Sequence, residues 1–65
     1  MTKAVPVDVY DKDGNMIKIE VNTPSGEHIL DFLWDHRDEQ TNENRVKFRE
    51  WAYRILKQKD YEVAK

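Results

Sequence analysis

The residues of this chain best able to do chemistry are His28, Asp31 and Asp35, with His36 beside them. On a helix, three- and four-residue spacing brings an imidazole and two carboxylates onto one face, a donor set suited to zinc or iron. The pattern is incomplete. The chain has only 2 His, which do not form an i,i+4 pair, and its 13 Asp and Glu make co-facing carboxylates common by chance. A solvated polar stripe accounts for these residues, so neither a metal nor another cofactor is expected. Asp11-x-Asp13-x-Asn15 resembles the opening of an EF-hand calcium loop. The loop's glycine and its final acidic ligand are replaced by Met16 and Asn22, so the segment reads as a turn. Ser25 is the one serine and suits a cap or turn. No glycine-rich phosphate loop or nucleophile elbow occurs, and with Cys at 0 there is no thiol nucleophile, thiolate metal site or disulfide. An enzyme is not expected.

Those side chains need elements to position them. At 65 residues the chain has room for one small domain and little for a deep substrate cleft. Charged residues are 37% and hydrophobic residues 38% of the total, and the aromatic content is too high for a solvated linker. No apolar run is long enough to span a bilayer or resembles a signal peptide, so no membrane association and a cytoplasmic location are the default expectations.

From Ala4 to Asn22 apolar residues alternate: Val5, Val7 and Val9, then Ile17, Ile19 and Val21. Period-2 spacing of β-branched residues predicts strands, and Asp13-Gly14 between them predicts a hairpin over 4–22. A three-residue loop with left-handed Gly14 sets Val9 opposite Ile17, Val7 opposite Ile19 and Val5 opposite Val21. Asp8 then meets Lys18, and Tyr10 meets Met16 on the outer face. Beyond Thr23-Pro24, the residues Ile29, Leu30, Phe32, Leu33 and His36 fall on one side of a helical wheel, predicting a helix over 24–39. A second helix is predicted from Thr41 or Asn42 to Lys59, with Phe48, Trp51, Ala52, Ile55 and Leu56 as its apolar face. Residues 60–65 read as a polar tail, although Tyr61 and Val63 have the character to fold back. The expected fold is α+β: an N-terminal β-hairpin packed on two antiparallel α-helices (β-β-α-α), a helical hairpin, within one domain over 1–65.

Charge is unevenly placed. Glu27–Glu39 holds five acids against Arg37, whereas Arg45–Lys59 holds six bases against Glu50. Large amphipathic residues at the edges of apolar arcs are where interface anchors concentrate. Trp34, Tyr53 and Tyr10, flanked by Asp31, Asp35 and Asp38, are therefore the candidate protein-binding residues. The leading expectation is a small non-enzymatic regulator, adaptor or inhibitor that occludes a protein partner. Small chains of this kind are common among phages and mobile elements. Open strand edges and a small core also point to a homodimer.

The second reading is nucleic-acid binding through Lys18, Lys47, Arg54 and Lys57. A strand over Met16–Asn22 followed by two helices resembles, in order of elements, the ribbon-helix-helix family of DNA-binding dimers. That resemblance implies that Lys18, Glu20 and Asn22 face the bases. The chain departs from the family in its second strand in cis, in the acidic Glu20 and in its net charge of −2, which ranks this reading second.

Overall fold

The computed structural model describes residues 2–64. Met1 and Lys65, the ends of the expected domain, lie outside the described residues. Five elements follow one another: β1 (Thr2–Tyr10), β2 (Met16–Asn22), β3 (His28–Leu33), α1 (Asn42–Gln58) and β4 (Tyr61–Val63). The strands form one four-stranded sheet in the order β3-β2-β1-β4. β2 runs antiparallel to both β1 and β3, and β4 runs parallel to β1. Parallel neighbours need a crossover connection, which here includes α1. The fold is α+β with a single helix among the described residues. The expected β-β-α-α arrangement and its helical hairpin are corrected accordingly, and the element order no longer resembles the ribbon-helix-helix family.

The first hairpin forms where the alternation places it. The Asp11 carboxylate accepts the Asp13 and Asn15 amides at 2.9 Å each, and Gly14 supplies a left-handed φ of 82°. Next to the turn Tyr10 faces Met16, the register of a three-residue loop. A bulge then inserts Ile17 without a partner, and the pairing becomes Val9–Lys18, Val7–Glu20 and Val5–Asn22. One extra residue sends every later side chain to the opposite face. The expected Val/Ile pairs are therefore replaced. Ala4 shares a face with Ile19 and Val21 in the core, while Val5, Val7 and Val9 point away from it. Met16, expected on the outer face, is buried at 1% exposure.

The segment expected as a first helix is a turn, a strand and a loop. Thr23 does not cap a helix. Its amide donates to Glu27 O at 2.8 Å, its hydroxyl accepts the Glu27 amide at 3.0 Å, and Gly26 takes a φ of 92°. This closes a second hairpin in which Ile19 pairs with Phe32, Glu20 with Asp31 and Val21 with Leu30. The run Ile29-Leu30-Asp31-Phe32-Leu33 satisfies helical and strand spacing alike. β2 decides between them, because only a strand can pair with its open side and add Phe32 to the core.

The helix expected from Thr41 or Asn42 to Lys59 spans Asn42–Gln58. Thr41 caps it, its hydroxyl accepting the Asn44 amide at 3.0 Å. Ala52 and Leu56 are fully buried against Ala4, Ile19, Val21 and Phe32, with Phe48 and Ile55 packed around them. The chain then reverses through Asp60, at a φ of 64°, into β4. The expected polar tail is thus a strand for three residues, with Tyr61 and Val63 packed on the core. A contact 41 residues apart in sequence ties helix to sheet: Arg49 Nε donates to Asp8 at 2.8 Å, and Arg49 Nη2 donates to Tyr10 Oη at 3.3 Å. Partial burial disfavours the charged guanidinium, yet the hydrogen bond and charge of Asp8, helped by Tyr10, raise its pKa above the ordinary arginine value. No helix among the described residues is long and apolar enough to cross a membrane.

Candidate functional site

The loop between β3 and α1 carries most of the acidic segment, and its shape follows from two anchors, one at each end. Trp34 N–H donates to Ile17 O at 3.0 Å, extending the β2–β3 ladder by one bond. Gln40 then stands in for the strand that has ended. Its Oε1 accepts the Met16 amide at 3.0 Å and its Nε2 donates to Met16 O at 2.9 Å. Both main-chain groups of a buried residue are satisfied by one side chain. Between these anchors, the Trp34 indole donates to Asp38 O at 3.3 Å and the Asp38 amide donates to Asp35 O at 2.9 Å. Arg37 grips the Asp35 carboxylate through Nε at 3.1 Å and Nη2 at 2.9 Å. The hydrogen bonds from the Arg37 side chain and amide hold the Asp35 carboxyl at about 2, below its usual 3.8.

Against this loop α1 sets a row of aromatic rings. Trp34 stands edge-on to Phe48 with ring centres 5.1 Å apart, Phe48 stacks on Trp51 at 6.0 Å, and Trp51 stands edge-on to Phe32 at 5.3 Å. These contacts suit the charge distribution of the rings. The row is only partly covered, since Trp51 is 43% and neighbouring Leu33 72% exposed. A groove of about 440 Å³ runs along it, lined by Leu33, Phe48 and Trp51 with Asp35, Asp38, Asn44 and Lys47 at its polar margin. Lys47 is engaged by Glu43 at 3.2 Å, and Asp35 by Arg37. Asp38 has no ion-pair partner among the described residues. An apolar floor with an acid outside any direct ion pair at its margin is equipped to hold an apolar side chain beside a cation.

The expected site residues are only partly brought together. Asp35 and Asp38 line the groove, and Trp34 braces it from behind through Phe48. Asp31 points to the sheet face turned away from α1, where Lys18 reaches it at 3.6 Å. Tyr10 lies with Arg49 on the β1 side of the helix, and Tyr53 is half-buried on α1, neither at the groove. The alternative nucleic-acid set is dispersed too. Lys18 is on the outer sheet face, while Lys47, Arg54 and Lys57 are on α1 across the sheet. The helical spacing of Leu33, Phe48 and Trp51 places them on apolar faces expected to be core. The position of Trp51 at the end of its apolar arc was the available sign that a narrow sheet would leave it half-covered.

The metal constellation is also rearranged. His28 and Asp31 are joined by Glu20, whereas Asp35 and His36 belong to the loop. Glu20 and Asp31 are direct cross-strand partners, an unfavourable pairing of like charges. His28 lies between them, its Nδ1 3.7 Å from Glu20 and its Nε2 3.6 Å from Asp31. Each ring nitrogen faces a different carboxylate and Lys18 already engages Asp31, so the group reads as a polar network joining β2 and β3. A metal would instead draw both carboxylates toward one nitrogen. No protein family, curated protein or solved structure matches the chain.

Proposed function

We propose that this chain is a small protein-binding module that acts by occluding its partner, and that it holds the partner at the Leu33–Phe48–Trp51 groove. The supporting observation is the half-covered aromatic row. A side chain as large as Trp51 left 43% exposed is a costly surface for a chain with so small a core, and covering it favours association. The margin selects the partner's charge. Residues 27–39 carry five acids against one base, and Asp38 lines the groove without an ion-pair partner among the described residues. A segment that presents an apolar anchor next to lysine or arginine fits this pattern.

Affinity capture from a lysate of the native host tests the reading, with and without nuclease and with wild type compared to the Asp35→Lys/Asp38→Lys variant. A protein retained by wild type after nuclease treatment and lost by the variant supports it. A partner held equally by both chains, or released by nuclease, contradicts it; release by nuclease would transfer the function to nucleic acid.

A further inference from the structure

The sheet shows how a partner segment can enter that groove. The Trp34 amide bonds Ile17 O, and the β2–β3 register continues without a shift through Phe32 and Leu30. In an antiparallel ladder, alternate residues aim their main-chain groups at opposite sides. Trp34, Phe32 and Leu30 are therefore bonded to β2, and Asp31 and Leu33 aim both N–H and C=O away from the sheet. A bulge at Ile29 confines the regular edge to Leu30–Leu33.

The other edges are short or interrupted. The Ala64 amide donates to Ala4 O at 2.9 Å, so the even-numbered residues of β1 face the β4 side. Beyond Ala4, where β4 ends, the next such residue is Pro6, which has no N–H to offer. The following one, Asp8, has only its side chain engaged, by Arg49 at 2.8 Å, so Pro6 interrupts this edge without closing it. β4 itself is a strand of only 3 residues. The regular part of β3 contains neither proline nor lysine, the usual guards of a free edge.

We infer that β3 is a strand-addition site, and that the partner of the proposed function binds as an extended segment laid along Leu30–Leu33, with apolar side chains on the α1 side and basic ones on the other. This rests on the groove reading and deepens it. An added strand runs about 4.8 Å from β3. Its α1-side residues come to lie beside Phe32, against the open flank of Trp51. Its other residues come to lie on the outer face beside Leu33 and Asp31, where an added cation shares the Asp31 carboxylate with Lys18, 3.6 Å away. A second copy of this chain fits poorly. Pairing β3 with itself about Asp31 sets like charges opposite one another and brings two acidic 27–39 segments together.

The probe is a synthetic seven-residue peptide of alternating lysine and valine with blocked ends. A second peptide carries N-methyl groups on the amides that face β3, and a third has glutamate for lysine. Binding of the first is expected to slow exchange of the Asp31 and Leu33 amides and to shift the Trp51 indole N–H resonance. The methylated peptide, losing main-chain bonds, is expected to bind roughly tenfold more weakly. In the protein, Leu33→Pro removes an outward N–H and leaves the β2 ladder intact, with Leu33→Ala as the side-chain control; Pro is expected to weaken binding further than Ala. If Trp51 shifts equally with both lysine peptides while Asp31 and Leu33 exchange unchanged, strand addition is overturned and the groove reading survives. If the glutamate peptide binds as well as the lysine one, or no peptide protects these amides, the inference is likewise overturned. The lysate capture judges the groove reading separately.

Discussion

The Trp51 indole stands edge-on to Phe32, ring centres 5.3 Å apart and planes at 75°. The contact joins the edge strand to the helix at a point where the sheet has no further strand to offer. Phe32 is 7% exposed and belongs to the core, whereas Trp51 is 43% exposed and covers it. One aromatic pair thus marks the boundary between what holds the fold together and what is left for a partner.

Truncations on either side of that boundary separate the two roles. Leu56→Ala opens a cavity in a fully buried position and is expected to cost about 3 kcal/mol in urea unfolding. Trp51→Ala removes a half-exposed ring and its edge-on contact, with an expected loss of about 1–2 kcal/mol. Equal costs would place Trp51 within the core and remove the groove.

Arg49 and Asp8 tie helix to sheet with side chains 32% and 25% exposed. In a double-mutant cycle of Arg49→Met and Asp8→Asn, a coupling of about 1 kcal/mol is expected at low salt, with part of it lost at high salt. Zero coupling at low salt would make the pair incidental to stability.

Gln40 supplies both hydrogen bonds that the Met16 main chain receives on its β3 side. Gln40→Ala is expected to cost about 1–3 kcal/mol, because it leaves buried main-chain groups unpaired. The Met16 amide, followed by hydrogen exchange, is expected to lose protection before its neighbours in β2. Unchanged Met16 exchange would show that the side chain does not complete the sheet.

The Asp35–Arg37 pair carries a pH signature. The Asp35 carboxyl is held at about 2 rather than 3.8. A depressed native value means that its contribution is complete above 3.8 and disappears as the pH falls through about 2. Carboxyl carbon shifts followed by NMR are expected to place the Asp35 midpoint near the lower value, and Arg37→Gln is expected to move it up toward the ordinary one. A midpoint unaffected by this substitution would contradict the assigned cause.

What was legible in the sequence depended on how many turns or alternations a signal spanned. α1 repeats its apolar face through Phe48, Ala52 and Leu56 behind a Thr41 cap, so its span was readable from local pattern. Ile29, Leu30, Phe32 and Leu33 satisfy two periods at once, and only the unpaired side of β2 makes them a strand. The bulge at Ile17 is a single inserted residue without a distinctive type, yet it moves the three valines off the core face. β4 depends on where α1 delivers the chain, which no local signal contains. At the site, Trp34, Asp35 and Asp38 stood out as aromatic and acidic residues outside the core pattern. Phe48 and Trp51 did not, because helical spacing reports an apolar face and says nothing about how wide a sheet will cover it.

The most direct test is amide hydrogen exchange across residues 28–34 of the free protein, read by NMR together with the contact between the Glu20 and Asp31 α-protons. A free edge strand predicts that contact. It also predicts slow exchange at Leu30, Phe32 and Trp34 alternating with fast exchange at Asp31 and Leu33. Uniform protection across 28–34 without the α-proton contact, as a helix would give, would contradict the edge strand and the binding role built on it.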